Sequence, residues 1–543
     1  MGRGGPVGRR AGRGDRPQRA AGPAPQRIRG AEADARAARA ASQQRLVARC
    51  PHPGGGAQPV GRRGAGARRC RYGAGGQSPG GGRPHRRVRR GGHRRVHLLG
   101  LSAPRRAVLV RRGRDPDPAR PRPVRGADAY GRPGGHSVRR RRAVTVSLPA
   151  DAVLDVAAKL AGQFEIDAAT RDEQRQLPYD QVAALKESGL LVISVPERYG
   201  GTGASATVLA EVFRLLAHAD PSIAQIPQSH VTFLEALRLQ GTEAQKEFFF
   251  GSVGDGALLA NAQSERGPHT IDVDTTTLQR QPCGDHVLSG RKYYSTGALF
   301  ADWILVRASV TDGSGVAPTA ATPKAIAFVA RDTPGVEVVD DWDGMGQRTT
   351  ASGTVILDDV VVPAEHVVPF SPIFAGPSTY GARAQLWHTA IDVGLATGAL
   401  AAGVRESGRA RPHFEARVQT AAEDPTLIAA AGELTVTVRG AQALLAEAAR
   451  RVDAAEDALT PQSAAEASIA VAVAKVAATR AALAAAEGLF ELGGTRSAAA
   501  AANLSRFWRD ARTHTLHDPT RWKLQHIGRY TLSGTVPPRH GQV

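Results

Sequence analysis

The run Arg509-Asp510-Ala511-Arg512-Thr513-His514-Thr515-Leu516-His517-Asp518-Pro519 closes the last of four Ala- and Leu-rich stretches, at 380–408, 425–452, 462–490 and 497–516. Each stretch repeats its apolar residues at helical spacing, and Ala and Leu are strong helix formers. Gly493-Gly494 supplies a C-cap to the third. Four such helices in succession predict an antiparallel bundle. Pro519 stops the last of them. Spacings of three and one then set His514, His517 and Asp518 on one face at the helix end. Titratable groups fixed there suit proton transfer.

Upstream of the bundle the texture changes twice. From about 258, short β-rich runs such as Trp303-Ile304-Leu305-Val306, Ala325-Ile326-Ala327-Phe328-Val329 and Thr354-Val355-Ile356-Leu357 alternate with Gly, Asp and Pro. They predict a small antiparallel barrel or sandwich. Before them, 151–169, 178–189, 207–217, 231–239 and 243–250 carry helical spacing. Gly201-Thr202-Gly203-Ala204-Ser205-Ala206 fits a dinucleotide fingerprint in letters alone. That fingerprint needs a strand leading directly into the turn and a second parallel strand after the helix. Pro196-Glu197-Arg198-Tyr199 intervenes before it, and Asp220-Pro221 follows the helix, so a loop between helices is expected.

Composition separates a further segment. Residues 1–142 hold 37 of the 71 basic residues, all Arg, and 6 of the 50 acidic ones, a net of +31. The remainder is acidic, with 34 basic against 44 acidic residues. A segment of Arg, Gly, Ala and Pro cannot bury enough apolar surface to offset its backbone entropy. An arm on nucleic acid would suit its charge, but only Tyr72 and Tyr130 are there to stack on bases. It is too long and too rich in Gly and Pro for a transit peptide. Its residues are those of GC-rich codons, which favours sequence upstream of a true start at Val144 or Val146. The expected plan is a disordered or spurious extension (1–143), a helical domain (144–257), a β-barrel domain (258–372) and a four-helix bundle (373–543). Cys50, Cys70 and Cys283 form no CxxC pair, which suits a reducing cytoplasm. No run approaches the roughly 18 apolar residues of a membrane span, and no membrane partner is expected.

Five segments stand in a telling order: Val195-Pro196-Glu197-Arg198-Tyr199-Gly200-Gly201, Ala260 to Gly267, Gly290-Arg291-Lys292-Tyr293-Tyr294-Ser295-Thr296-Gly297, Gly344-Met345-Gly346-Gln347-Arg348-Thr349-Thr350, and Phe490 to Arg496. With the opening run they resemble the acyl-CoA dehydrogenase superfamily over about 150–540. The likeness is greatest to its flavin-dependent monooxygenase branch in sulfur acquisition (SfnB-like, related to dibenzothiophene monooxygenases). The resemblance implies an α+β, mostly α fold of the order already read.

It also implies chemistry. Acyl-CoA dehydrogenases abstract a proton with a Glu followed by Gly-Thr; that place falls here on Asp518, Pro519 and Thr520. A base one methylene shorter argues against dehydrogenation, which stays the alternative with Asp518 as base. In the monooxygenase branch a His-Asp pair, here His517 and Asp518, faces the flavin. Reduced flavin there takes up O₂ as a C4a-hydroperoxide and passes one oxygen to an organosulfur substrate. His230 is placed on the opposite wall, with Asn261 and Thr296 at the flavin edge. Gln263, Ser264, Tyr294, Ser295, Thr296 and Thr520 match flavin contacts, and Arg411 and Arg496 match phosphate contacts. The cofactor is reduced FMN from a separate NAD(P)H:flavin reductase, or FAD. A homotetramer is implied. Spacing alone would also let His514, His517, Asp518 and His526 hold a metal; no partner His-Glu motif accompanies them, and no metal is expected.

Overall fold

The computed structural model describes residues 148–267 and 270–543. The basic segment 1–143, expected to be disordered or spurious, lies outside the described residues. Seven helices come first: α1 (Val153–Ile166), α2 (Ala168–Gln174), α3 (Tyr179–Glu187), α4 (Ala206–Ala219), α5 (Pro221–Gln225), α6 (Gln228–Gln240) and α7 (Glu243–Gly254). The starts of α4, α5 and α7 carry side-chain caps. Ser205 accepts the Val208 N–H, and Thr242 and Gln245 form a reciprocal box. Leu190 to Val195 is a series of turns and not a strand. The glycine-rich run after it folds back so tightly that a Cβ on Gly201 would lie 2.0 Å from the Val195 carbonyl. It is a loop between helices.

Eight strands follow: β1 (Leu259–Ala262), β2 (Thr277–Arg280), β3 (His286–Lys292), β4 (Trp303–Thr311), β5 (Lys324–Ala330), β6 (Val336–Val339), β7 (Thr354–Val362) and β8 (Val367–Pro369). They make one curled sheet in the order β6-β7-β3-β2-β4-β5-β8, with β1 beside β4. The expected all-antiparallel pairing is corrected in two places: β1 and β2 both run parallel to β4. Leu278, Leu288, Ile304, Val306 and Val355 fill its interior. Its other face packs Phe328 on Phe249 of α7, with ring centroids 4.2 Å apart.

The bundle contains α8 (Tyr380–Ser407), α9 (Pro425–Asp457), α10 (Pro461–Gly493), α11 (Ser505–His514) and α12 (Thr520–Ser533). The expected fourth helix at 497–516 is only ten residues of α-helix; short 3₁₀ turns precede it, and it stops at His514. His517 and Asp518 thus sit in the turn before Pro519, not on a continuing helix face. The region of α10 is long and apolar enough to cross a membrane, with mean hydropathy 1.7 over one window, which corrects the expectation that no run approaches that composition. Here 61% of the window is buried inside the protein.

Helix α8 is the central member, buried at every residue from Tyr380 to Ala396. One core joins it to the N-terminal helices, with Trp387 stacked on Phe213 at 5.7 Å. Two glycines one turn apart permit this closeness. A Cβ on Gly394 or Gly398 would lie 2.4 Å from the Arg214 or His218 carbonyl of α4. We expect Gly398→Val to cost about 1–3 kcal/mol by overpacking. Gly432→Ala, on an exposed face of α9 with nothing within 4 Å, should gain about 0.5–1 kcal/mol from helix propensity. Urea unfolding of the two variants checks both signs.

Candidate active site

The residues singled out by sequence fall into two clusters and an outlying pair. The first cluster is in the bundle. Asp392 of α8 has no exposed surface and accepts from Lys475 Nζ of α10 at 2.7 Å and from Thr479 Oγ1 at 3.2 Å. Its other oxygen lies 2.5 Å from His514 Nδ1, at the end of α11. His514 Nε2 is 3.2 Å from His388 Nδ1, one turn before Asp392 on α8. The His388 ring lies against that of His517, centroids 3.9 Å apart and 30° between planes. His517 itself has exposed surface, although protein surrounds it deeply enough to depress its ionisation. It stands at the exposed end of the row.

The sequence expected a His517–Asp518 pair, but the structure distributes the bonds differently. Asp518 is buried, and its Oδ2 stands 2.6 Å from Lys523 Nζ of α12. The hydrogen-bonded carboxylate and imidazole are Asp392 and His514. His388, Asp392 and Lys475 were missed by motif reading. Their signal is present all the same: Lys475 is the one charge between Glu466 and Arg480 in an Ala- and Val-rich helix. A buried cation needs a buried anion.

Burial dominates the electrostatics. It pushes His517 down to about 4, with His514 and Lys475 adding to it. His388 is pushed well below the usual histidine range by burial and by its histidine and lysine neighbours. Burial lowers His514 too, against the pull of Asp392. For Asp392, burial acts to raise the value, but Lys475 and His514 outweigh it and bring the carboxyl to about 2. The row is thus three neutral imidazoles beside an ionised carboxylate.

The second cluster is on the sheet. Tyr293 N–H donates to Ser264 O at 2.8 Å, tying the end of β1 to the turn 293–297. Thr296 Oγ1 is 2.8 Å from Ser352 Oγ, which is 2.6 Å from Thr350 Oγ1. Ser295 N–H donates to Gly353 O, and Gly297 N–H to Thr350 O. Tyr294 is half-exposed with φ 57°, edge-on to Trp342, with the Arg266 guanidinium 5.1 Å from its ring. The Gln263 carbonyl is taken by Lys292. Thr520 opens α12, half-buried.

His230 departs from the expectation. It is fully buried, with Nε2 2.8 Å from the Leu191 carbonyl and Nδ1 accepting the Leu259 N–H at 3.1 Å. Both ring nitrogens are spent on backbone, and the ring joins the 190–195 turns to β1. Arg411 and Arg496 form the outlying pair. Both are exposed, and Arg496 Nη1 lies 3.5 Å from the Arg409 carbonyl. Arg411 follows the far end of α8, roughly 28 Å along that helix from His388. His526 lies apart from His517, beside Trp522 and His540. Among the described residues, no three His, Cys, Asp or Glu side chains are grouped to hold a metal.

A hydrogen-bonded path joins the two clusters. Gln347 N–H donates to Asp510 Oδ1 at 2.6 Å, one turn before His514 on α11, and Gln347 O accepts from Thr350 Oγ1. Gly346 lies so close to α11 that a Cβ would be 2.0 Å from the Arg509 carbonyl. Around this path Asn261 Oδ1, Ser295 Oγ and both amide atoms of Gln347 are buried without a partner. Unmet buried polar atoms cost about 1–3 kcal/mol each. Donors and acceptors of this kind fit the polar edge of a flavin ring.

Similarity to known proteins identifies the family. The descriptions "Acyl-CoA dehydrogenase, N-terminal domain", "middle domain" and "C-terminal domain" match residues 151–257, 259–360 and 386–522. A dibenzothiophene monooxygenase of Rhodococcus qingshengii is 34% identical over 399 residues, covering 70% of this chain and 93% of the relative. The chain belongs to the acyl-CoA dehydrogenase superfamily. A probable FMNH₂-dependent monooxygenase, SfnC of Pseudomonas putida, is 32% identical over 72% of this chain and 98% of its own. FMN-bound TdsC from Paenibacillus sp. A11-2 superposes with a TM-score of 0.69 at 31% identity, covering 72% of this chain and 100% of that one. Within the superfamily this acyl-CoA dehydrogenase-like chain lies in the flavin-dependent monooxygenase branch, and it is an oxidoreductase.

Asp510 yields a test of the path. Burial and the nearby Asp172 raise it to about 7. A carboxyl raised on folding is more protonated in the folded state. Its effect is therefore a loss of stability as pH climbs from about 4 to about 7. Asp510→Asn keeps the acceptor for Gln347 and removes the titration. We expect the variant to be more stable than the parent at pH 8, by the order of one to a few kcal/mol, and the difference to vanish near pH 4. Denaturant unfolding across that range checks it.

Proposed function

We propose that this flavin monooxygenase oxygenates a small organosulfur compound, using O₂ and reduced FMN delivered by a separate NAD(P)H:flavin reductase. The bonding of Asp518 carries the reading. A carboxylate that abstracts a carbon-bound proton must come within about 3 Å of it. Asp518 is instead buried against Lys523, and Asp392 is held between Lys475 and His514. That leaves the acyl-CoA dehydrogenase alternative without a base. The group left at the exposed end of the row is the neutral imidazole of His517, which donates or accepts a hydrogen bond without adding charge.

Bound reduced flavin supplies the electrons that activate oxygen. Ser295, Asn261 and Gln347 would meet its polar edge, with Ser264, Gln263 and Thr296 beside them, and Tyr294 as an aromatic wall. His517 would orient the oxygen, and the buried His388 behind it keeps water from that side. Arg411 and Arg496 stand too far from His388 to serve the same flavin within one chain. They would hold the phosphate of a flavin in a neighbouring copy, in keeping with a homotetramer. The FMNH₂-dependent and FMN-bound relatives favour FMN over FAD, and the dibenzothiophene relative favours sulfur compounds.

The test supplies the protein with FMN, a flavin reductase, NADH and ¹⁸O₂, with dibenzothiophene and dimethyl sulfide as separate substrates. Labelled sulfoxide or sulfone is expected. Anaerobic bleaching of bound flavin by an acyl-CoA, with no labelled product, overturns the reading. His517→Ala should lose at least about 10²-fold in kcat. With His517 depressed to about 4, its neutral form persists as pH falls and is lost only through about 4. The acid limb of kcat is therefore expected near pH 4 and not near 6.5.

A further inference from the structure

We propose that Lys475 and Asp392 are positioning residues that fix the tautomers of a two-histidine row, leaving His388 Nε2 as an acceptor beside His517. The proposal rests on the monooxygenase reading for the reaction that the row serves, but its geometry stands within the bundle. Starting from the ion pair, each bond determines the next. Asp392, ionised against Lys475, accepts at Oδ1, so His514 carries its proton on Nδ1. A neutral His514 then has its lone pair on Nε2. The nitrogen 3.2 Å away, His388 Nδ1, must therefore be the donor. Three of the four ring nitrogens are committed, and His388 Nε2 is the acceptor that remains. Helices α8, α10 and α11 each contribute, so no single element can relax the row alone.

Lys475 has a second role. A carboxylate paired with imidazole alone favours imidazolium, as in other His-carboxylate pairs. Here the lysine neutralises Asp392 before His514 can exploit it. The groups facing the row are Lys475, Thr479 and Asp392 on one side, and His517, Lys523 and Asp518 on the other. Two cations and two carboxylates balance, so a neutral row has the lowest charge imbalance. Burial and both lysines oppose protonation of His388. The acceptor on His388 is thus kept across the neutral range, and His517 stacks on a ring whose orientation is fixed.

The test begins with the full-length protein without flavin, labelled with ¹⁵N-histidine and observed by magic-angle-spinning NMR. Resonances are assigned from the signals lost in His388→Asn and His514→Asn. Protons on Nδ1 and none on Nε2 are expected for both rings at pH 7. A proton on Nε2 of either ring overturns the proposal, and neither result depends on what the enzyme oxidises. Failure of the monooxygenase reading shows separately, as absence of labelled product. Lys475→Met removes the cation while keeping the stem. We expect His514 to protonate at least one pH unit higher, and the acid limb of kcat, set by His517, whose charged form Lys475 also disfavours, to move up in pH with the plateau KM unchanged. A uniform loss of activity at every pH, with His514 titrating as in the parent, would assign Lys475 to structure alone and sink its part of the proposal. Should Lys475→Met not fold, the parent spectrum still decides the tautomers.

Discussion

Asp392 is an anion with no exposed surface, and the bundle is arranged around satisfying it. The desolvation of a carboxylate is offset only by close partners. Lys475 and Thr479 come from α10, and His514 from the end of α11. Removing Lys475 or Asp392 alone leaves its partner buried and uncompensated, a change that commonly costs about 3–5 kcal/mol. The ion pair is thus also a clamp on three helices. Through His514 it anchors the end of α11, just before the turn holding His517. Gly394 and Gly398 do the corresponding work on the other side, letting α8 lie against the backbone of α4. A helix gripped on both flanks can present His388 in one place.

The sheet is tied to this frame by short polar links. Thr296, Ser352, Thr350 and the Gln347 carbonyl form one hydrogen-bonded line, and the Gln347 amide ends on Asp510. Gln347 and Ala351 both have positive φ. A loop of such conformation is held by its bonds and not by regular structure. Because Asp510 and His514 are one turn apart on α11, the loop around Gln347 and the histidine row share a rigid element.

Much of the fold was legible because its signals are local. Ala and Leu at helical spacing mark α8, α9 and α10 to within a few residues, and Gly494 ends α10 with φ 64°. The parallel pairing of β1 and β2 with β4 was not legible, since it depends on contacts far apart in sequence. The apolar α10 shows why composition cannot separate a bundle core from a membrane span. The candidate site was legible only in part. His517 was singled out, but its partner was read from adjacency. Past the end of a helix, neighbours in sequence need not touch: Asp518 turns to Lys523, while Asp392, over a hundred residues earlier, takes His514. His230 shows the converse, a residue expected at the flavin that spends both nitrogens on backbone.

The depth of the Lys475–Asp392 pair has a consequence for how the protein responds to ionic strength. Mobile ions screen exposed charges over about 8–10 Å at ordinary salt but do not penetrate a packed interior. Arg411 and Arg496 stand in solvent, and the hold of such residues on any anion weakens as salt rises. The buried pair, and the histidines it orders, feel no such weakening. Salt therefore acts on any anion that the exposed arginines hold and leaves the protonation of the buried centre as it was, so that the two respond separately to the medium around the protein.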